Sequence, residues 1–193
     1  MLDESSRRSR RTFIWAATGL ALLVVVTCFA ATGDLLAGAV AATRYSARFS
    51  GLVMAAAVVA RAPRPVAWSK RRTELTLAFV AAHGVHYATV ILRALVEPGN
   101  RLRSWAIEVE LVVFLGLLLL TLVAGTAKAT SVVGRRTNAI AFYVAWMVLA
   151  LVLASRARTS LASAVVDGAL VAAILWRIGS GAAERRTAPA VRT

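Results

Sequence analysis

Long apolar runs alternate with short arginine-rich clusters along the whole chain. An apolar run of about 20 residues is long enough to cross the hydrocarbon core of a bilayer as a helix. The pattern predicts an all-α, polytopic membrane protein built as a bundle of six transmembrane helices. A basic N-terminus, 1–12, is expected before the spans, and a disordered tail, 179–193, after them, because both segments are polar. The spans are expected at about 13–33, 46–62, 75–96, 109–127, 137–155 and 159–177.

The second span is the weakest of the six. Only 12 uncharged residues separate Arg48 from Arg61, and a connector is expected before them, from Asp34 to Tyr45. The segment can still cross the bilayer if both arginines snorkel to opposite interfaces. Gly51 and Ala55 are expected to form a small-residue face for close helix packing. The sixth span has small residues at the spacing that lets helix backbones approach: Ala164, Gly168 and Ala172.

The balance of charge predicts how the spans are oriented. The chain has 23 Lys and Arg against 9 Asp and Glu, a formal charge of +14, and a mean hydropathy of +0.71. Six spans divide the basic residues into 16 on one side and 7 on the other. The positive-inside rule then places both termini in the cytoplasm and the protein in the inner (plasma) membrane. Nucleic-acid binding is not expected, because the basic clusters do not interleave with aromatic residues on one face.

The residue content excludes several classes of chemistry. Cys28 is the one cysteine, so the chain can form neither an internal disulfide nor a cysteine metal cluster. The connectors contain no glycine-rich phosphate loop and are too short for a nucleotide-binding domain. Any redox or energy source must therefore come from a partner or from the lipid phase.

The two histidines of the chain, His83 and His86, lie in the middle of the third span. An ionisable side chain within a span is costly and marks a candidate functional site. Three residues apart on a helix, the two differ by about 60° in azimuth and about 4.5 Å in rise, so they share a face. They cannot lie above and below one haem, whose second ligand would have to come from another helix or chain. The alternative is a packed pair that bonds to backbone carbonyls or to Ser and Thr of adjacent helices.

Two further charges fall within predicted spans, Arg93 in the third and Asp167 in the sixth. Both are expected in the outer third of the bilayer, since the two spans run in opposite directions. An intramembrane ion pair between Arg93 and Asp167 is predicted. Exposure of both groups to water and a proton path remain as alternatives.

Several segments carry a family resemblance. They are 71–72, 75–79 and 81–86 around the third span, 44–48 and 63–65 around the second, and 117–136 and 143–146 further along. Together they resemble the ferric-reductase-like transmembrane proteins, a family that includes the haem-binding membrane subunit of the bacterial methionine-sulfoxide reductase system. The resemblance extends over about 44–158.

The resemblance implies a haem b electron-transfer subunit that works with a redox partner protein or a quinone. In that family, histidines of the third and fifth helices hold the haem, so His83 or His86 would be the third-helix ligand. The fifth helix departs from the pattern, because the expected positions near 141–142 and 154–155 hold no histidine. The ligand set is therefore incomplete. The alternatives are a haem-free accessory or structural protein of the same fold and a small transporter.

Overall fold

The computed structural model describes residues 4–61, 71–97, 112, 116, 132–157 and 160–187. Within them the all-α prediction is confirmed. The fourth predicted span, 109–127, lies outside the described residues apart from Val112 and Gly116, which are helical. Five long helices are described: α1 (Glu4–Thr32), α2 (Leu35–Val59), α3 (Arg72–Val96), α4 (Val132–Ala157) and α5 (Leu161–Thr187).

Three helical segments of the described part are long and apolar enough to cross a membrane: Arg8–Thr32, Arg72–Val96 and Leu161–Ala182. They correspond to the first, third and sixth predicted spans. The apolar stretch Phe142–Ser155 within α4 is shorter. α2 is not among the three, although it is as long as α3.

The predicted connector from Asp34 to Tyr45 is wrong, because α2 already begins at Leu35. Gly33, with a φ of +64°, ends α1 in the left-handed conformation that glycine adopts without strain. The Asp34 carboxylate then accepts a hydrogen bond of 2.7 Å from the Ala37 amide and caps α2. A two-residue turn is thus sufficient to reverse the chain. The second helix ends at Val59, a few residues before the predicted limit of 62.

α2 is the central helix of the described bundle, since it packs against α1, α3 and α5. It runs antiparallel to α3: Thr43 bonds to Thr89 near one end, and Ser50 bonds to His83 further along. Its buried face consists mostly of Gly, Ala, Ser and Thr. Small side chains of this kind let helix axes approach closely.

The arginines that bound the uncharged part of α2 bond to neighbouring helices. The Arg48 guanidinium donates to the hydroxyls of Ser160 (2.6 Å) and Ser163 (3.3 Å) at the start of α5. Arg61 lies directly after α2, and its guanidinium carbon is 3.8 Å from the centre of the Phe142 ring of α4. Snorkelling was expected for both side chains, but each one ties α2 to another helix.

The two small-residue patterns have different outcomes. A Cβ atom added at Gly51 would lie 2.7 Å from Val166 Cγ1 and 3.2 Å from Leu153 Cδ1, so the predicted close packing at Gly51 is confirmed. A Cβ atom at Gly168 would meet no described atom within 4 Å, and Gly168 is exposed. The expected packing at Gly168 is therefore not found, because α5 turns its other face to α2.

The last helix is longer than predicted. α5 continues to Thr187, about ten residues beyond the expected end of the sixth span, so the disordered tail expected from 179 is helical over its first half. Ser180 is buried and donates to the Trp176 carbonyl (2.7 Å). Ala182, Ala183 and Glu184 are good helix formers, which explains the extension. Residues 188–193 lie outside the described part.

Candidate functional site

Both histidines lie at the interface of α2 and α3, where they are almost completely buried. The exposed fraction is 2% for His83 and 6% for His86. Hydroxyl side chains of α2 face them across the interface at matching intervals. We call this set the polar ladder, and it consists of Thr43, Ser46 and Ser50 of α2 with His83, His86 and Thr89 of α3.

The hydrogen bonds of Ser50 favour one tautomer of His83. The Ser50 hydroxyl lies 2.9 Å from the Ala47 carbonyl, to which it can donate its single proton. Ser50 Oγ is also 3.0 Å from His83 Nδ1. When the Ser50 proton is directed to Ala47, Ser50 accepts from a protonated Nδ1, and Nε2 carries the lone pair of the neutral ring.

His86 belongs to a cyclic network of hydroxyl groups. The Thr89 hydroxyl lies 2.6 Å from the His86 carbonyl, to which it donates, and 3.2 Å from Ser46 Oγ. Ser46 Oγ also lies 3.1 Å from His86 Nδ1 and 3.4 Å from the Thr43 carbonyl. When Ser46 donates to Thr89, Nδ1 of His86 donates to Ser46, which gives the same tautomer as the one described for His83.

Aromatic rings enclose the histidines along α3. The Phe79 ring stacks on His83 with 5.2 Å between centroids, and the Tyr87 ring meets His83 edge-on at 5.1 Å. The centroids of His83 and His86 are 5.3 Å apart. The two imidazoles therefore lie side by side on one helix face, as their spacing predicted.

Two imidazoles side by side on one helix face can supply at most one axial ligand of a single haem. A histidine ligand holds its orientation when the other ring nitrogen donates a hydrogen bond, and His83 and His86 both have such a bond to a serine. The two rings cannot bind opposite faces of one haem, because they are neighbours on a single helix. The chain has no third histidine. The described residues also contain no group of three His, Cys, Asp or Glu side chains placed to hold a metal ion.

The chain matches no protein-family model, and comparison with curated proteins and with solved structures also gives no match. The ferric-reductase-like resemblance stays a prediction that depends on the segments quoted above.

The predicted ion pair needs correction, because Arg93 has a different partner. Arg93 bonds to Glu97 one turn further along, with Nε to Oε2 at 2.6 Å and Nη2 to Oε1 at 3.2 Å. The hydrogen bond from Arg93 lowers the pKa of the Glu97 carboxyl below its ordinary value. Asp167 is half-buried, and it forms no ion pair with the other described residues.

The polar partners of the histidines were predicted by residue type and not by position. Thr43, Ser46 and Ser50 are spaced three and four residues apart, which places them on one helix face. His83, His86 and Thr89 follow one another at intervals of three residues, which also places them close together on one helix face. A row of polar residues on one face of each helix is therefore the sequence signal that indicates this interface.

Proposed function

We propose that the chain is a polytopic membrane protein. The distribution of side chains supports this, because many large apolar residues point outward, while the interface of α2 and α3 holds small and hydroxyl-bearing residues beside the apolar core. On α1, Trp15 is 72% exposed and Leu23 is 60% exposed, and on α5 Leu161 is 83% exposed. Ser46 and Ser50 are fully buried. Apolar surfaces of this extent need lipid or a protein partner, and the small, hydroxyl-rich interior is typical of helix packing in bilayers.

Within this membrane bundle we propose a redox role, in which His83 or His86 supplies one axial ligand of a b-type haem. The observation that carries this proposal is that Nδ1 of each histidine lies within hydrogen-bond distance of a serine hydroxyl, 3.0 Å for His83 and 3.1 Å for His86. Neutral imidazole with a fixed second-shell hydrogen bond is the form that ligates iron. The haem would carry single electrons, which a redox partner protein or a quinone donates. The second ligand comes from outside the histidine set of this chain.

The second candidate is a haem-free accessory protein of the same architecture. One observation favours it specifically: every Nδ1 bond of the polar ladder crosses from α3 to α2 and thereby joins two helices. Interhelical polar contacts of this kind contribute about 0.6 kcal/mol each, up to about 1.7 kcal/mol. In this case the histidines are packing residues, and the bundle serves a partner protein.

A reduced-minus-oxidised absorption spectrum separates the two candidates. The full chain is expressed with a haem precursor and purified in detergent, together with His83→Ala, His86→Ala and the control Ser155→Ala, an exposed residue of α4 whose hydroxyl bonds to the Val152 carbonyl of its own helix. The redox proposal predicts a Soret band in the wild type and the control that is lost in one of the histidine variants. Circular dichroism of each variant checks that the helices remain.

A colourless wild type that keeps its helicity would refute haem binding and leave the accessory role. The Ser50→Ala variant gives a finer test in a coloured protein. If His83 is the ligand, removal of its Nδ1 hydrogen bond makes the imidazole a weaker donor, and the reduction potential should rise. A potential unchanged by Ser50→Ala and changed by Ser46→Ala would assign His86 as the ligand.

A further inference from the structure

A cavity of about 470 Å³ lies between α2, α3 and the start of α5, away from the histidines. Three arginines line it, Arg44 and Arg48 of α2 and Arg93 of α3, together with the hydroxyls of Ser160 and Ser163. Guanidinium groups and hydroxyls are hydrogen-bond donors, and arginine forms forked contacts with the oxygens of carboxylate and phosphate. The lining therefore has the chemistry of an anion site.

The charge of this lining is only partly balanced within the described structure. Arg93 bonds to Glu97, and Arg48 is held by the two serine hydroxyls, which are neutral. Arg44 is exposed and makes no hydrogen bond to a described residue. Three guanidinium groups thus meet one carboxylate around a space large enough for a phosphate and part of its substituent.

The surroundings indicate where the anion comes from. Leu95 is 79% exposed and Leu161 is 83% exposed at the same end of the bundle, so an apolar surface adjoins the cavity. By the predicted topology this is the outer end, where only 7 of the 23 basic residues are expected. Three of those seven converge on one cavity beside a lipid-facing surface. Such a place suits a ligand with a charged head and an apolar tail.

We propose that this cavity binds the phosphate group of an anionic phospholipid, with Arg44 and Arg93 as its main ligands. Arg48 positions the site, because it fastens α2 to α5 through Ser160. The proposal rests on the membrane location proposed above and not on haem. A lipid in this position would also hold the ends of three helices together.

The test uses the detergent-purified full chain and native mass spectrometry with three probes: phosphatidylglycerol, phosphatidylcholine and soluble glycerol phosphate. Arg44→Gln is the main variant, because it removes a lining charge that has no hydrogen bond in the described structure. Arg11→Gln is the matched control, since it removes an equal charge from an exposed position on α1. Phosphatidylglycerol should bind about tenfold more weakly to Arg44→Gln and with unchanged affinity to the control.

The Glu97→Gln variant gives a second test, in which lipid affinity is expected to increase. It removes the carboxylate that bonds to Arg93 in the described part of the chain, so phosphatidylglycerol should bind more tightly, by about threefold or more. A merely structural role of Glu97 would not produce this gain. Equal losses in Arg44→Gln and Arg11→Gln would overturn the cavity site, as would equal binding of the two lipids. Glycerol phosphate that binds as tightly as phosphatidylglycerol, with the same response to the variants, would overturn the assignment to a lipid.

Discussion

Two glycines of the bundle provide a direct test of the packing between α2 and α5. Gly51 lies on the buried face of α2, and a Cβ atom there would be 2.7 Å from Val166 Cγ1. Gly168 lies on the exposed face of α5, where a Cβ atom would meet no described atom within 4 Å. Gly51→Ala and Gly168→Ala are therefore chemically identical changes in opposite surroundings.

The change in the free energy of unfolding has two contributions, one from the backbone and one from side-chain packing. Replacement of glycine by alanine within a helix gains about 1 kcal/mol through the backbone, and this gain is common to both variants. Overpacking at Gly51 costs about 1–3 kcal/mol, because Val166 and Leu153 must move by several tenths of an ångström. Gly168→Ala should thus stabilise by up to about 1 kcal/mol. Gly51→Ala should be less stable than Gly168→Ala by about 1–3 kcal/mol.

The assay is reversible unfolding of the full chain in mixed micelles, followed by helical circular dichroism. The difference between the two variants cancels the backbone term and isolates the helix contact. Equal shifts in the same direction would refute the reasoning, since they would mean that Gly51 has as much room as Gly168. Gly51→Leu extends the series and should be more destabilising still, because a larger side chain enters the same space.

Two further predictions concern charged groups. Arg48→Lys should destabilise the bundle by about 1–3 kcal/mol in the same unfolding assay, because an ammonium cannot replace the guanidinium fork to Ser160 and Ser163; an unchanged midpoint would contradict this. For Glu97 the folded pKa is depressed by Arg93, so its stabilising contribution is present near neutral pH and is lost as the pH falls below about 4. Wild type and Glu97→Gln should therefore differ in unfolding midpoint at pH 7 and converge at acidic pH, and a difference that persists at acidic pH would contradict the assignment.

The apolar runs predict the helical fold. They do not predict where the second helix begins or where the last helix ends. The third and fifth predicted spans lie within described helices, and the first exceeds α1 by one residue, because each contains a long uncharged run. The start of α2 was missed since Arg44 and Tyr45 interrupt the apolar pattern. Gly33 and Asp34 are sequence signals of a helix end and a helix start, and they determine the boundary in spite of the polar residues that follow.

The candidate site was predictable in part. The shared face of His83 and His86 followed from helical geometry, and hydroxyl partners on a neighbouring helix were one of the two alternatives. Which hydroxyls they are depends on how α2 and α3 align, and register is a tertiary property that one segment alone does not determine. The pairing of Arg93 with Asp167 failed for the same reason, since it assumed a contact between helices when Glu97 was available four residues away.

α2 illustrates why hydropathy and position in a membrane bundle are separate properties. Composition does not mark it as a span, yet it contacts all four of the other described helices. The polar residues that lower its hydropathy include Ser46, Ser50 and Arg48, and these make its bonds to α3 and α5. Replacing both serines by leucine would strengthen the apolar pattern and place two large side chains against His83 and His86. Such a variant should unfold more readily than the double alanine variant, because the interface has space for a hydroxyl and not for an isobutyl group.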